Sequence, residues 1–488
     1  MDWKNKAYPF AKTTVALKSI QKPQEAVLKG PRFASELARR GESLREQGHL
    51  MQAVAAFRRA VRADPDYDWA WAHMGEALRQ AGQYAEALEA LEQAVALNPQ
   101  YAWALSAKGQ TLRQMGRYAD AVAALERALE IDADYAWAWA QKGESLREWG
   151  EHERALAAFD RAIALDADYA WAWAHKAENL RQMGRAEQAL QAFDQAIALD
   201  NQYAWAMCSK GQVLSQMGRY QEAVATLDAG LLLSASLDWA WAEKGESLRK
   251  LDRHDEAIAA FDEALELNPD YTWALAHRGL TLRQNNDLAA AVASLRRATA
   301  IDPAYSWAWA ELGEALRLTG DFEAAVAAFD QAIRHRSEYA WAWASKGQTL
   351  RQAQRYQEAL ETLETALEQD ATQVWAWGEK GQALHEMERF EEAIAAFDRA
   401  IALDPNYDWG IAHKGSSLRW LNRFDEALAM LERALAINPD YLWAWNEKGL
   451  TLEQAGRRDE ALAAYDLALT LDPNNEWAQE RRRQLVGS

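Results

Sequence analysis

Apolar and small residues return along this chain with a period of 34 residues, held without insertion or deletion from Ala34 to Asn475. Tryptophan marks the phase, at residues 69, 103, 137, 171, 205, 239, 273, 307, 341, 375, 409, 443 and 477. With these tryptophans at position 2, the first repeat begins at Ala34 and carries Ser35 in their place. Apolar or small residues occupy positions 4, 8 and 11, then 17, 20, 21, 24, 27 and 28. Both sets follow the 3.6-residue period of an amphipathic helix, so the pattern predicts two helices per repeat. Glycine at position 15, as in Gly48, Gly82, Gly116 and Gly150, supplies the left-handed residue that ends the first helix. Proline at position 32, as in Pro65, Pro99 and Pro269, follows the end of the second. Alanine stands at position 20 in all thirteen repeats, and glycine at position 8 in all but one (Ala177), so the two helices can approach closely.

This pattern, with Phe, Leu or Tyr always at position 24, resembles the tetratricopeptide repeat. The resemblance covers residues 34–475 as thirteen repeats, leaving 1–33 as a basic arm and 476–488 as a C-terminal capping helix. It implies an all-α fold, a right-handed superhelical solenoid of 13 antiparallel helix pairs. First helices then line a concave inner face and second helices the convex outside. Two departures from the family pattern stand out. Position 11 is Leu in every repeat, and position 7 is Lys or Arg in eleven, such as Lys142 and Lys346. Stems of this kind lie along the groove between helices with their charged heads in water.

Many repeats carry a second tryptophan, at position 4. On the first helix, positions 4, 8 and 11 share one side, and positions 2, 5, 9 and 12 form a stripe roughly 110° away. The resemblance places that stripe, with positions 33 and 34, on the ligand-binding concave groove. Position 4 is therefore expected in the core, where it varies among Trp71, Leu105, Trp139, Met207, Leu275 and Ile411. Position 2 is expected in the groove.

The candidate ligand-binding residues follow from that stripe. The tryptophans are Trp69, Trp103, Trp137, Trp171, Trp205, Trp239, Trp273, Trp307, Trp341, Trp375, Trp409 and Trp443. Tyrosine holds position 34 in ten repeats and is represented by Tyr67, Tyr101, Tyr135, Tyr169 and Tyr203. Position 12 contributes Arg79, Arg113, Arg147, Arg181, Arg249, Arg283, Arg317, Arg351 and Arg419, and position 9 contributes Glu144, Glu178 and Glu246. Position 5 is small, as in Ala72, Ser106 and Cys208, and reads as a gap between these groups. A Glu–Arg pair three apart contributes only about 0.2–0.5 kcal/mol to a helix. Arginine also persists where position 9 is Gln, Leu or Ser (Arg113, Arg283, Arg419), so helix pairing alone does not account for it. The competing explanations are an internal stacking ladder that stiffens the array and simple inheritance by duplication.

Charge and composition narrow the function. Of the net −19, residues 1–33 carry seven basic and two acidic groups, or +5, leaving −24 on the rest. That body repels bulk nucleic acid and anionic membrane. The single cysteine, Cys208, excludes an internal disulfide, and the nine histidines are dispersed, with His73, His175, His277 and His413 all at position 6 but three or four repeats apart. No metal, cofactor or catalytic residue is expected, and no leader or membrane segment stands out, which points to the cytoplasm. Aromatic platforms with arginine suit an extended peptide or partner segment. By resemblance, such arrays serve as sensors or adaptors in bacterial regulatory and defence systems. The alternative is a stacked polymer, a glycan or single-stranded nucleic acid. The arm carries Trp3, Tyr8 and Phe10 among its lysines and is expected to dock on the first repeats or to carry the contact to a partner, against the alternative of a free tail.

Overall fold

The computed structural model describes residues 30–487, and these form 27 α-helices. The helices run in pairs: α1 (Pro31–Glu46) with α2 (Leu50–Ala63), α3 (Asp68–Gln80) with α4 (Tyr84–Leu97), α5 (Ala102–Gln114) with α6 (Tyr118–Ile131), α7 (Ala136–Glu148) with α8 (His152–Leu165), and so through thirteen pairs. A final unpaired helix, α27, spans Glu476–Gly487. The fold is thus an all-α solenoid of helical hairpins. The helix α1 starts at Pro31, three residues ahead of the first repeat, and Phe33 packs on its core. The rest of the arm, with Trp3, Tyr8 and Phe10, lies outside the described residues.

The chain divides into two compact units after Ala206, within the first helix of the sixth repeat. Both are built alike. Position 24 sits at the centre of each hairpin, and Phe57, Phe159, Phe261, Phe329 and Tyr465 are fully buried there. Glycine at position 8 makes room: a Cβ on Gly143 would meet the Phe159 ring at 2.8 Å. Between repeats, position 21 packs on the position-11 leucine of the next, as Val122 does on Leu146 and Leu360 on Leu384. Burial of these leucines explains why the position never changes; each contributes about 2 kcal/mol or more.

Within each unit, consecutive first helices touch, as α3 does α5 and α5 does α7, while no comparable contact joins consecutive second helices. The first-helix layer is therefore the inner side of the curve. At the C-terminus, α27 repeats a first helix with Gln479 at position 4 and Arg483 at position 8. The exposed Arg483 stands where the other first helices carry glycine or, once, alanine. No described helix is long and apolar enough to cross a membrane.

Candidate binding face

The position-2 tryptophans, Trp69 to Trp443, are all half-buried on the first-helix side. Ten of the twelve enter their helices beside a preceding tyrosine, while Trp239 follows Leu237 and Trp375 follows Gln373. Tyr67–Trp69, Tyr135–Trp137 and Tyr169–Trp171 have ring centroids 6.0, 5.7 and 6.0 Å apart. Tyr101 and Tyr203 pack on Trp103 and Trp205 in the same way. Burial pushes the Tyr135 hydroxyl up to about 12. The face is aromatic and partly open.

Its charged groups are spent internally. Arg147 grips Glu144 with Nε and Nη2 at 2.9 and 2.8 Å, and Arg181–Glu178 and Arg249–Glu246 repeat the fork. The arginine then reaches the next repeat. Arg79, Arg249, Arg317 and Arg419 donate to the glutamine 35 residues on, at 3.0–3.4 Å, and Arg113 to Glu148. Arg283, Arg351 and Arg419 donate to Glu311, Glu379 and Glu447, each at position 6 of the next repeat, at 2.7–3.2 Å. Arg79, Arg249 and Arg419 are buried and the others half-buried.

Position 6 is the hub of each joint, and its variability conceals it in the sequence. Four times it is a histidine pressed between consecutive tryptophans. His73 stacks on Trp69 at 3.8 Å and Trp103 at 4.6 Å, and His175 on Trp171 at 3.7 Å and Trp205 at 5.1 Å. His277 joins Trp273 to Trp307, and His413 joins Trp409 to Trp443. His73, His175 and His277 also meet the position-9 carboxylates Glu42, Glu144 and Glu246 at 3.1–3.2 Å. Burial pushes these carboxyls up, but the histidine and arginine beside each win. Glu42 and Glu246 are held at about 2 and Glu144 well below its ordinary range. His413 lacks a carboxylate and donates instead to the Trp409 carbonyl at 2.8 Å; burial pushes it down to about 3. Elsewhere position 6 is not a ring. Trp137 is flanked by Ala107 and Gln141, Trp341 by Glu311 and Ser345, and Trp375 by Ser345 and Glu379. The Gln141 amide oxygen is buried without a partner.

Profiles of the tetratricopeptide repeat match residues 66–134, 106–170, 180–236, 239–271, 277–340, 310–374, 350–410 and 414–476. The chain belongs to the tetratricopeptide repeat family. No curated protein matches it significantly in sequence. Among solved structures, the APC/C hetero-tetramer Cut9–Hcn1 is 13% identical, covering 93% of this chain and 96% of that one with a TM-score of 0.49. A crystal structure of MamA is 24% identical over 33% of this chain and 94% of that one, with a TM-score of 0.31.

In this tetratricopeptide array position 4 is a core position where it is aliphatic, as with the buried Leu105, Leu275 and Ile411, but its tryptophans pack on the core with only part of the ring, short of the full burial expected. Trp71, Trp139, Trp173, Trp241, Trp309, Trp343, Trp377 and Trp445 are all half-buried. The indole N–H explains why: it needs an acceptor, and it finds the carbonyl six residues upstream in the preceding turn. Trp139 donates to Ala133 at 2.9 Å and Trp309 to Pro303 at 2.9 Å. Gln479 copies the bond to Pro473 in α27 at 2.7 Å. The position-7 lysine lies over this indole, Lys142 Nζ being 5.1 Å from the Trp139 ring, and its head pairs with an acid of the preceding second helix. Lys142–Glu126 is 2.8 Å and Lys176–Asp160 is 2.6 Å. The head is therefore bound, not simply hydrated.

Position 5 is likewise no gap. Ala72, Ser106, Ala140 and Cys208 are wholly buried. Gly378 shows what covers the site, since a Cβ there would lie 2.8 Å from the Tyr407 hydroxyl and 3.0 Å from the Trp409 ring. Position 5 is small because the tyrosine and the next tryptophan sit on it. Burial pushes the Cys208 thiol up to about 12, which leaves it unreactive.

Proposed function

We propose that this chain is a non-enzymatic scaffold whose first-helix face binds an extended segment of a partner protein. Tetratricopeptide arrays are protein-interaction scaffolds, and the finer reading rests on one observation: tryptophans are presented at a constant interval on the inner side of each unit. Rings this large, half-exposed and repeated, suit a chain that lies along them. The internal stacking ladder and the binding face share the row. At the four histidine joints the rings are filled from within and stiffen the array. At Trp137, Trp341 and Trp375 no histidine stacks on the indole, and these are the rings we assign to the ligand. Because Arg and Glu satisfy one another, recognition is mainly aromatic and apolar, with the peptide backbone meeting the edges of the Arg–Glu forks. A sensor or adaptor role in a bacterial regulatory or defence system, in the cytoplasm, agrees with this chemistry.

The test separates the two parts of the row. Trp137→Ala, Trp341→Ala and Trp375→Ala combined lower partner capture at least tenfold, while helix content by circular dichroism stays within a few per cent. Trp69→Ala with Trp103→Ala lowers the melting temperature and spares capture. Loss of capture by the second pair alone overturns the assignment.

A further inference from the structure

Within each unit, a later first helix is covered by the second helix of the preceding repeat, and the position-11 leucine gauges that cover. Leu78, Leu112, Leu146, Leu248 and Leu384 are at most 2% exposed. Leu44, at the same position of α1, is half-exposed. It borders a cavity of about 240 Å³ lined also by Leu37, Arg40, Ala55 and Arg59. Arg40, at position 7, makes no ion pair among the described residues, whereas Lys142 and Lys346 pair with Glu126 and Asp330. Among the described residues nothing covers this seat on α1.

The covering residue is fixed in register elsewhere. It lies 24 residues upstream of the leucine: Val122 on Leu146, Val326 on Leu350, Leu360 on Leu384, Ile394 on Leu418. Counting 24 back from Leu44 gives Ile20. The same register puts Ala26 and Val27 at positions 27 and 28, where other repeats carry Ala60 and Val61 or Ala128 and Leu129. Residue 24, sixteen before Arg40, is Gln24, with the carboxylate of Glu25 next to it. Pro23 stands where other repeats place Phe, Leu or Tyr, a side chain that packs on position 8 of its own first helix, as Phe159 does on Gly143.

We propose that residues 20–27 of this same chain occupy the open face of α1, with Ile20 over Leu44 and Glu25 near Arg40. This deepens the expected docking of the arm into a defined seat and is independent of what the tryptophan face binds. Gly30, the N-cap of α1, has φ 144, a left-handed value that favours glycine, at the point where this placement requires a turn back along the helix. The reach suffices: Pro31 to Leu44 rises about 20 Å along the helix, and the ten residues 21–30 span up to roughly 33 Å.

Cysteine pairing in the full chain tests the register. In a Cys208→Ala background, Ile20→Cys with Leu44→Cys is oxidised with oxidised glutathione beside a shifted control, Val15→Cys with Leu44→Cys. The first pair closes an intramolecular disulfide, read by non-reducing gel and intact mass, at least ten times faster than the control. Equal rates overturn the proposal in favour of an undocked tail, and a disulfide-linked dimer overturns it in favour of a second copy. A second readout needs no cysteine. Ile20→Asp speeds amide exchange in α1 at least tenfold and leaves α5 onward unmoved; unchanged exchange in α1 overturns the proposal.

Discussion

Position 15 imposes a left-handed backbone whatever residue stands there. Eight glycines hold it with φ of 73–85°, and Asp252, Asn286, Gln354, Glu388 and Asn422 hold it with φ of 57–62°. A side chain in that region crowds the following carbonyl, which Asn tolerates better than Gln or Glu. Gln354→Gly and Glu388→Gly should therefore each stabilise the second unit by about 0.5–1 kcal/mol, measured as a shift in urea midpoint. A pH effect belongs to the same scale. His413 is held down at about 3 by burial, well below a histidine in unfolded chain. Between those values the unfolded state binds the proton and the native state does not. Its contribution is complete above about pH 6.5 and falls as pH drops, by about 1.4 kcal/mol per pH unit until the folded value is reached. His413→Gln should flatten the change in urea midpoint between pH 7 and pH 5. Glu42 and Glu246 have the depressed carboxylate sign: their contribution is present above about pH 4.5 and is lost only as pH falls toward 2.

At the scale of elements, the helices and their turns were legible because period, glycine and proline all act locally. The site was legible only in part. A helical wheel assigns position 4 to the core, yet that position lies in the first turn, where the preceding connection offers a carbonyl to the indole. The wheel also reads position 5 as open, since it cannot show the tyrosine of the following connection folding back, as Tyr407 does over Gly378. Position 6 escaped because it changes from histidine to alanine to glutamate, while its neighbours at 9 and 12 hold still. What stays constant there is the joint and not the residue. Trp309→Phe isolates the hydrogen bond from the ring. It should cost about 1 kcal/mol in the second unit, seen in its thermal transition, because the Pro303 carbonyl loses its donor while the packing survives.

For the whole molecule, each of the two units repeats the same joint from hairpin to hairpin, so the stability of each is close to a sum of hairpin and nearest-neighbour terms and unfolding need not be all-or-none. The ends follow different solutions. Arg483 puts an exposed charged side chain at position 8 of α27, and at α1 the seat beside Leu44 is the one proposed for residues 20–27. The joints also have a consequence for how this chain can change its length. Each one links a residue to a partner 24, 28, 31 or 35 places away, in the adjoining repeat. Removing residues 306–339 as a block brings Tyr305 before Ala340 and restores the phase of every such pair, whereas removing one residue more or fewer breaks the phase at the cut. Lengthening and shortening come in steps of 34, so the span of such an array is a digital quantity, adjustable by copying and closed to gradual drift.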